Sequence, residues 1–193
     1  MKKIKNKYPP GDFAIWIIIY IELLTFGLFF LGYIYSRRAD IDLFNSSQLL
    51  LDTRAGFVNT IILITSSYFV VKAVDAIKTL DIEEAIQKAQ RWLLSAIGLG
   101  GIFLVIKMSE FIGKYQDGIN LSTNKFFMFY FLLTMFHFMH VILGMIILYN
   151  LYQKTKLGGY TKDNHKGLET GASYWHMVDL LWIVLFPLIY VIR

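Results

Sequence analysis

The sequence contains no cysteine and few charged residues, and both shortages narrow the classes of protein to which it can belong. Without cysteine there is no disulfide, no iron–sulfur cluster, no thiolate metal site and no cysteine nucleophile. Charged residues make up only 17% of the 193 residues, whereas soluble domains carry about a quarter. Hydrophobic residues make up 56% of the chain. A soluble domain of this size could not bury so much apolar surface, so the composition indicates a membrane protein.

Length and charge restrict the organisation further. The length predicts one domain over residues 1–193. The net charge of +5 does not indicate nucleic-acid binding, because no basic patch is interleaved with aromatic residues as in single-strand binders. The basic start of the chain precedes an apolar run that is too long for a signal peptide and has no cleavage site, so we expect a retained first span.

Five apolar stretches are long enough to cross a bilayer, since a helical span needs about 20 mostly apolar residues. They run approximately over Phe13–Tyr35, Gly56–Val74, Trp92–Ile112, Phe126–Leu151 and Tyr174–Ile192. The stretches are continuous rather than alternating, which argues against a transmembrane β-barrel. The sequence therefore predicts an all-α integral membrane bundle of five transmembrane helices.

The distribution of Lys and Arg predicts the orientation of this bundle. With the N-terminus inside, the inner segments contain twelve of these residues and the outer segments six. Inner segments of membrane proteins carry the excess of positive charge, so we expect the N-terminus in the cytoplasm and the C-terminus outside. Trp16, Trp92 and Trp175 lie near the predicted inner ends of their spans, as interfacial aromatic residues do.

Ionisable residues inside the spans are candidates for function, because each is costly to place in lipid. Glu22 lies roughly 14 Å from the inner edge of the first span at about 1.5 Å per residue. A proton-handling or lipid-contacting carboxyl and a buried structural acid are both consistent with this position. His137 and His140 share a face of the fourth span, and His140 lies at about the depth of Glu22. Either histidine is therefore within geometric reach of the carboxyl.

A metal or haem site at these histidines is disfavoured, because the next candidate ligand lies at a different depth. His176 and Asp179 are three residues apart near the inner end of the last span, and His176 should lie roughly 10 Å shallower than His140. A di-iron site would need Glu-x-x-His pairs on two helices, and the sequence has none. We expect His176 and Asp179 to form a structural interhelical hydrogen-bond pair.

Two further charges lie near the outer end of the third span. Lys107 and Glu110 are spaced for an ion pair on one helix, with Lys107 extending outward to water. Glu110 bonding to a neighbouring helix is the alternative. Small and hydroxyl residues on the second and third spans are expected to permit close helix packing. They are Asn59, Thr60, Thr65, Ser66, Ser67, Gly98, Gly100 and Gly101.

The last two spans carry motifs that resemble those of a known family. Phe136–Gly144 resembles the F-H-x-x-H-V-x-x-G signature of subunit III of haem-copper oxidases, the cytochrome c oxidase subunit III family. His165–Glu169 resembles its H-x-G-x-E stretch, and Tyr174–Trp182 resembles its Y-W-H-F-V-D-x-x-W motif. Earlier spans are similar to the family's in the same order. The matching positions there are Trp16, Glu22, Phe29, Phe30, Phe57–Thr60, Ser66, Ser67, Leu99, Gly100, Phe103 and Glu110.

The resemblance is to the short five-helix bacterial form, since the two extra N-terminal helices of longer members have no counterpart. Lys107 stands where many members have Gln, and the opening Pro10-Gly11-Asp12 is similar to the E accessory protein of nitric oxide reductases. The resemblance implies a subunit without haem or copper that steadies the catalytic subunit and influences proton uptake. It also implies that Glu22 corresponds to the family's buried carbodiimide-reactive glutamate.

We therefore expect a non-catalytic accessory subunit of an oxygen-reducing or nitric-oxide-reducing complex in a bacterial inner membrane. No cofactor or metal is expected in this chain; haem with copper or iron is expected in the catalytic partner, and phospholipid around both. Glu22 is the candidate for proton handling or lipid contact. The expected structural polar network comprises His137, His140, Glu169, His176, Asp179, Glu110 and Lys107. The alternatives are a small proton-coupled transporter or channel that uses Glu22 and the histidines, and a metal-dependent membrane oxidoreductase.

Overall fold

The computed structural model describes residues 10–192, and this range is entirely helical apart from its connections. The elements are α1 (Phe13–Ala39), α2 (Ile41–Gln48), α3 (Thr53–Thr79), α4 (Ile82–Gln116), α5 (Lys125–Lys156) and α6 (Lys166–Phe186), followed by a π-helical turn at Pro187–Val191. Five segments are long and apolar enough to cross a membrane. They are α1, α3, α4, α5, and α6 together with the π-turn. The all-α architecture and the five spans are thus confirmed.

The helices begin where short polar side chains can bind their free N–H groups. The Asp12 side chain accepts from Phe13 N, that of Asp52 accepts from Arg54 N, and that of Asn124 accepts from Phe127 N. Such N-caps satisfy donors that have no partner within the first turn. Most of the helices extend past the apolar stretches read from the sequence, because α-helical hydrogen bonding continues into the polar ends. α6 in particular begins eight residues before the predicted span, at Lys166.

Successive spans run in opposite directions, so the bundle has two ends. We call the end where α1 and α6 begin the N-face, and the end with α2 and the π-turn the C-face. α3 and α4 form the most extensive helix pair, and α5 and α6 complete the bundle. α1 packs on α5 and α6 through a single buried stripe formed by Ile15, Ile19, Phe26 and Tyr33. Many apolar side chains of α1 outside this stripe are exposed, as expected of a helix on the outside of a membrane bundle.

Close packing depends on particular glycines. A Cβ atom at Gly144 would lie 2.7 Å from the Trp175 ring, so the absence of a side chain lets this ring pack against α5. Gly100 also faces Trp175, from α4. Gly98 and Gly101 were expected to permit close contact, but a Cβ atom at either position would meet no neighbouring atom within 4 Å. The expectation is therefore wrong for these two glycines.

A short helix in the first connection was not predicted from the sequence. The stretch from Arg37 to Arg54 contains α2, in which Phe44, Ser47 and Gln48 are buried. The Gln48 amide donates to Ile189 O in the π-turn at 2.9 Å. α2 therefore covers the C-face and holds the end of the chain.

Candidate functional site: buried polar pairs between the helices

Glu22 and His140 meet between α1 and α5. Glu22 Oε2 lies 3.0 Å from His140 Nε2, and His140 Nδ1 lies 2.8 Å from Phe136 O. Since a carbonyl only accepts, Nδ1 carries a proton, and Nε2 either accepts one from a protonated carboxyl or donates to an ionised one. The pair can thus share one proton. The contact was one of the two that the sequence placed within reach.

The Glu22–His140 pair is partly screened from its surroundings. The His140 ring packs against Phe26 and Phe136, with ring centres 5.6 and 4.7 Å away. The Glu22 side chain remains 25% exposed on the surface of the bundle. The carboxyl is therefore anchored inside the bundle and still open to whatever lies beside α1.

His137 lies one turn further towards the C-face, and it corrects the predicted polar network. Its side chain is fully buried, and neither ring nitrogen has a hydrogen-bond partner within residues 10–192. Its neighbours are aromatic, with the rings of Phe103 and Trp182 centred 5.9 and 5.2 Å away. His137 therefore joins the helices through ring packing rather than through the predicted hydrogen bonds.

Lys107 and Glu110 form the most enclosed polar cluster. Lys107 Nζ donates to Glu110 Oε2 at 3.1 Å and to the Tyr190 hydroxyl at 2.7 Å. Glu110 Oε1 accepts from the hydroxyls of Tyr130 and Tyr190, each at 2.7 Å. The pair on one helix is confirmed, and Glu110 also bonds to α5 and the π-turn. Every polar atom of the pair is thus used, as a buried ion pair requires.

The expected outward extension of Lys107 is wrong. The residue is 0% exposed, and Nζ lies 5.0–5.3 Å from the centres of four aromatic rings. These rings belong to Phe111, Tyr130, Trp182 and Tyr190. Cation–π attraction and two hydrogen bonds hold the ammonium inside, where extension to water would forfeit them.

His176 and Asp179 lie on the surface of α6 beside α3. His176 Nδ1 contacts Ser67 Oγ of α3, and it lies 3.5 Å from Asp179 Oδ2. His176 thus makes an interhelical hydrogen bond, as expected, and its partner on α3 is Ser67. Asp179 lies on α6, the same helix as His176. The His176 side chain is 40% exposed.

Glu169 joins three elements at the N-face. Its carboxylate pairs with Lys78 at the end of α3, accepts from Gly11 N at 3.2 Å, and lies 3.5 Å from His165 Nε2. Gly11 has φ +91°, and a Cβ atom there would lie 3.1 Å from the backbone of Thr170. This approach needs glycine. The segment before α1 is thereby fixed to the first turn of α6.

These pairs are separate from one another, and none assembles a ligand set. Within residues 10–192, no three His, Asp or Glu side chains are grouped so that they could hold a metal ion. Residues 13–192 match the family model described as cytochrome c oxidase subunit III. The chain belongs to the cytochrome c oxidase subunit III family. The resemblance read from the motifs is thus confirmed at the family level, while the likeness to the E protein of nitric oxide reductases stays a prediction.

Curated relatives include members from oxidases of different kinds. The cytochrome c oxidase subunit 3 of Synechocystis sp. is 37% identical over 136 residues, covering 70% of this chain and 55% of the relative. That of Thermostichus vulcanus is 30% identical and is covered to 64%. The chain therefore spans less than two thirds of these two relatives. The probable quinol oxidase subunit 3 of Staphylococcus saprophyticus is 24% identical, covering 92% of this chain and 86% of the relative.

Sequence reasoning missed two tyrosines, Tyr130 and Tyr190, that bind the Lys107–Glu110 pair. Tyr130 and Tyr190 lie on apolar, aromatic-rich stretches, and a hydroxyl on such a stretch usually marks an interfacial ring. The Asn59 side chain, buried on α3 without a hydrogen-bond partner among the described residues, was also read only as a packing residue. A count of hydroxyls and amides facing inward on neighbouring spans could have raised these candidates.

Proposed function

We propose that this chain is a non-catalytic accessory subunit of a haem-copper oxidase in a bacterial inner membrane. It binds the catalytic subunit, stabilises it and supports its proton uptake. The redox centres, haem with copper or iron, belong to the catalytic partner, and phospholipid surrounds both. Membership of the subunit III family supports the association with other oxidase subunits. The N-face, which carries the charged connection between α3 and α4, is on the cytoplasmic side in this proposal.

The contact between Glu22 and His140 carries the proton-uptake part of the proposal. The shared proton can lie on the carboxyl or on the imidazole, so the pair is either neutral or a hydrogen-bonded ion pair, and neither form leaves an isolated charge in the membrane. The partial exposure of Glu22 gives the proton a route to the surface of the bundle. His137 has no partner within residues 10–192 to continue such a route inward, which argues against the transporter alternative.

Reduction of oxygen is the proposed reaction of the complex. Relatives that match nearly the whole chain include the cytochrome bo(3) ubiquinol oxidase subunit 3 of Buchnera aphidicola, 27% identical over 92% of this chain. Two of the positions that resemble the E accessory protein of nitric oxide reductases, Lys107 and Gly11, make contacts within this bundle. Lys107 binds Glu110, and Gly11 binds Glu169. Measuring consumption of oxygen and of nitric oxide by the purified complex separates the two reactions.

The experiment that tests the proposal is a Glu22→Gln substitution in the intact complex. Gln keeps the volume and a hydrogen bond to His140 but cannot exchange the proton. We expect normal assembly, and either slower proton uptake or earlier loss of activity during turnover. Unchanged turnover, proton uptake and inactivation rate would remove Glu22 from the proposal. Thr25→Val, a nearby change whose hydroxyl bonds only to its own helix, is the matched control.

A further inference from the structure

α6 presents a strip of exposed and partly exposed side chains on the side that lies between α1 and α3. The strip contains Ser173, His176, Leu180, Ile183 and Val184, which recur at three- and four-residue spacing on one face. α1 and α3 each pack on α6 and form no substantial contact with one another. The strip is therefore the floor of a cleft along the bundle.

At the N-face this cleft widens into a cavity of about 290 Å³. Val71, Val74 and Ala172 supply apolar walls, and the charged side chains of Lys78 and Glu169 stand at its mouth. The mouth charges are already paired with each other. His176 thus projects into the cleft beside these apolar walls, and Asp75 and Ser173 are the other polar residues that line the cavity.

Counting residues along α6 places His176 within the hydrocarbon of the membrane. The contacts of Gly11 and Asp12 with Glu169 and Thr170 place the start of α1 level with the first turn of α6. The apolar run of α1 begins directly after this level, at Phe13. His176 is six residues further along α6, roughly 9 Å deeper at about 1.5 Å per residue. A hydrocarbon layer about 30 Å thick therefore encloses it.

This placement leaves a polar group that lipid cannot satisfy. Ser67 and Asp179 both lie beside Nδ1, so Nε2 of the 40% exposed ring has no hydrogen-bond partner within residues 10–192. Acyl chains offer neither donor nor acceptor, whereas a side chain of a neighbouring helix offers either. The outer surface of α5 differs, because its exposed residues between Met128 and Ile146 are apolar. They include Met135, Met139, Leu143 and Ile146.

We propose that the cleft between α1 and α3, floored by the α6 strip, receives a transmembrane helix of the oxidase's catalytic subunit. This inference rests on the proposed function and names the surface through which that function is exerted. The partner helix packs on Leu180, Ile183 and Val184 and presents a hydrogen-bonding side chain to His176 Nε2. The exposed surfaces of α4 and α5 face lipid.

Site-specific photo-crosslinking in membranes that contain the intact complex tests this assignment. Benzoylphenylalanine replaces Leu180 or Ile183 in the strip, and Met139 or Leu143 on α5 in the matched controls. We expect an adduct with the catalytic subunit from both strip positions and none from the α5 positions. Equal adducts from both surfaces, lipid adducts only, or an adduct with the mass of two copies of this chain would overturn the assignment.

Two substitutions at His176 test the polar contact separately. His176→Phe removes the hydrogen bond, and His176→Gln retains a donor and an acceptor. We expect the Phe variant to lose the catalytic subunit at a detergent concentration at which the wild type and the Gln variant retain it. Equal retention of all three would show that no polar contact is made there.

The outcomes also distinguish this inference from the proposed function. If a haem protein co-purifies with the chain but crosslinks only to another surface, the inference fails and the accessory function stands. If no haem protein co-purifies, both fail.

Discussion

At the scale of single residues, the enclosure of Lys107 is the feature that sequence reasoning described least well. Spacing along one helix indicated the pair with Glu110, and the structure contains it. Spacing could not indicate that Tyr130 and Tyr190 come from α5 and the π-turn to surround the ammonium. Contacts within a helix can be predicted from sequence, whereas contacts from other helices depend on how the helices are rotated in the bundle.

Lys107→Met is expected to destabilise the bundle by about 3 kcal/mol, because it leaves the carboxylate of Glu110 buried without its cation. The Lys107→Met/Glu110→Gln double variant should lose less, since the neutral amide can still bind the two tyrosines. Thermal unfolding in detergent, followed by circular dichroism, compares them. A double variant that is less stable than Lys107→Met would contradict the stabilising role of the ion pair.

Two glycines give a matched test of the packing at Trp175. Gly144→Ala should destabilise by about 1–3 kcal/mol, because the added Cβ overlaps the indole. Gly101→Ala meets no atom within 4 Å and should be neutral or stabilising by up to about 1 kcal/mol through its higher helix propensity. The same unfolding measurement applies. Equal effects of the two substitutions would mean that Trp175 moves aside at little cost.

At the scale of the elements, the long helices were predictable and the short ones were not. Continuous apolar stretches about 20 residues long have few alternatives to a membrane-spanning helix. The eight residues of α2 give a weak pattern, and their burial depends on contacts with distant parts of the chain. The π-turn begins at Pro187, which lacks the N–H that would continue α-helical bonding. A proline within a helix usually produces a kink, so the π-turn could not be predicted from Pro187.

The bond from Gln48 to Ile189 O leads to a prediction about the end of the chain. Gln48→Leu removes the amide that donates to the buried Ile189 carbonyl. The π-turn is then held less firmly, so residues 187–192 should exchange backbone hydrogens faster. Ser46→Ala, which affects only a bond within α2, is the control. Hydrogen exchange read by mass spectrometry measures both. Unchanged protection in Gln48→Leu would show that α2 does not hold the π-turn.

At the scale of the whole molecule, three groups of charged or titratable side chains lie at three separate levels of the bundle. Glu169 lies at the N-face, where it pairs with Lys78. The Glu22–His140 pair lies deeper, between α1 and α5, and the Lys107–Glu110 pair lies towards the C-face. The depth of Glu22 relative to His140 was predictable by counting residues, because each residue of an α-helix adds about 1.5 Å along its axis. That His137 finds no hydrogen-bond partner among residues 10–192 was not predictable, because it depends on which rings surround it.

This distribution suits a subunit that serves the chemistry of a neighbour. Its buried charges are paired, and two partly exposed polar groups within the spans, Glu22 and His176, lie on the surface of the bundle. An added helix beside α6 would cover His176 and leave the Glu22–His140 pair intact. The distribution thus supports the proposal that the redox reaction takes place outside this chain.

Whether the redox centres belong to a separate polypeptide is decided by purifying the tagged chain from its native membrane in mild detergent. The haem spectrum of the product is recorded, and each co-purifying polypeptide is identified by mass spectrometry. We expect a haem spectrum that accompanies a separate catalytic polypeptide and disappears when that polypeptide is stripped away. A chain that purifies alone and is itself coloured by haem, or holds stoichiometric copper or iron, would contradict the assignment as an accessory subunit.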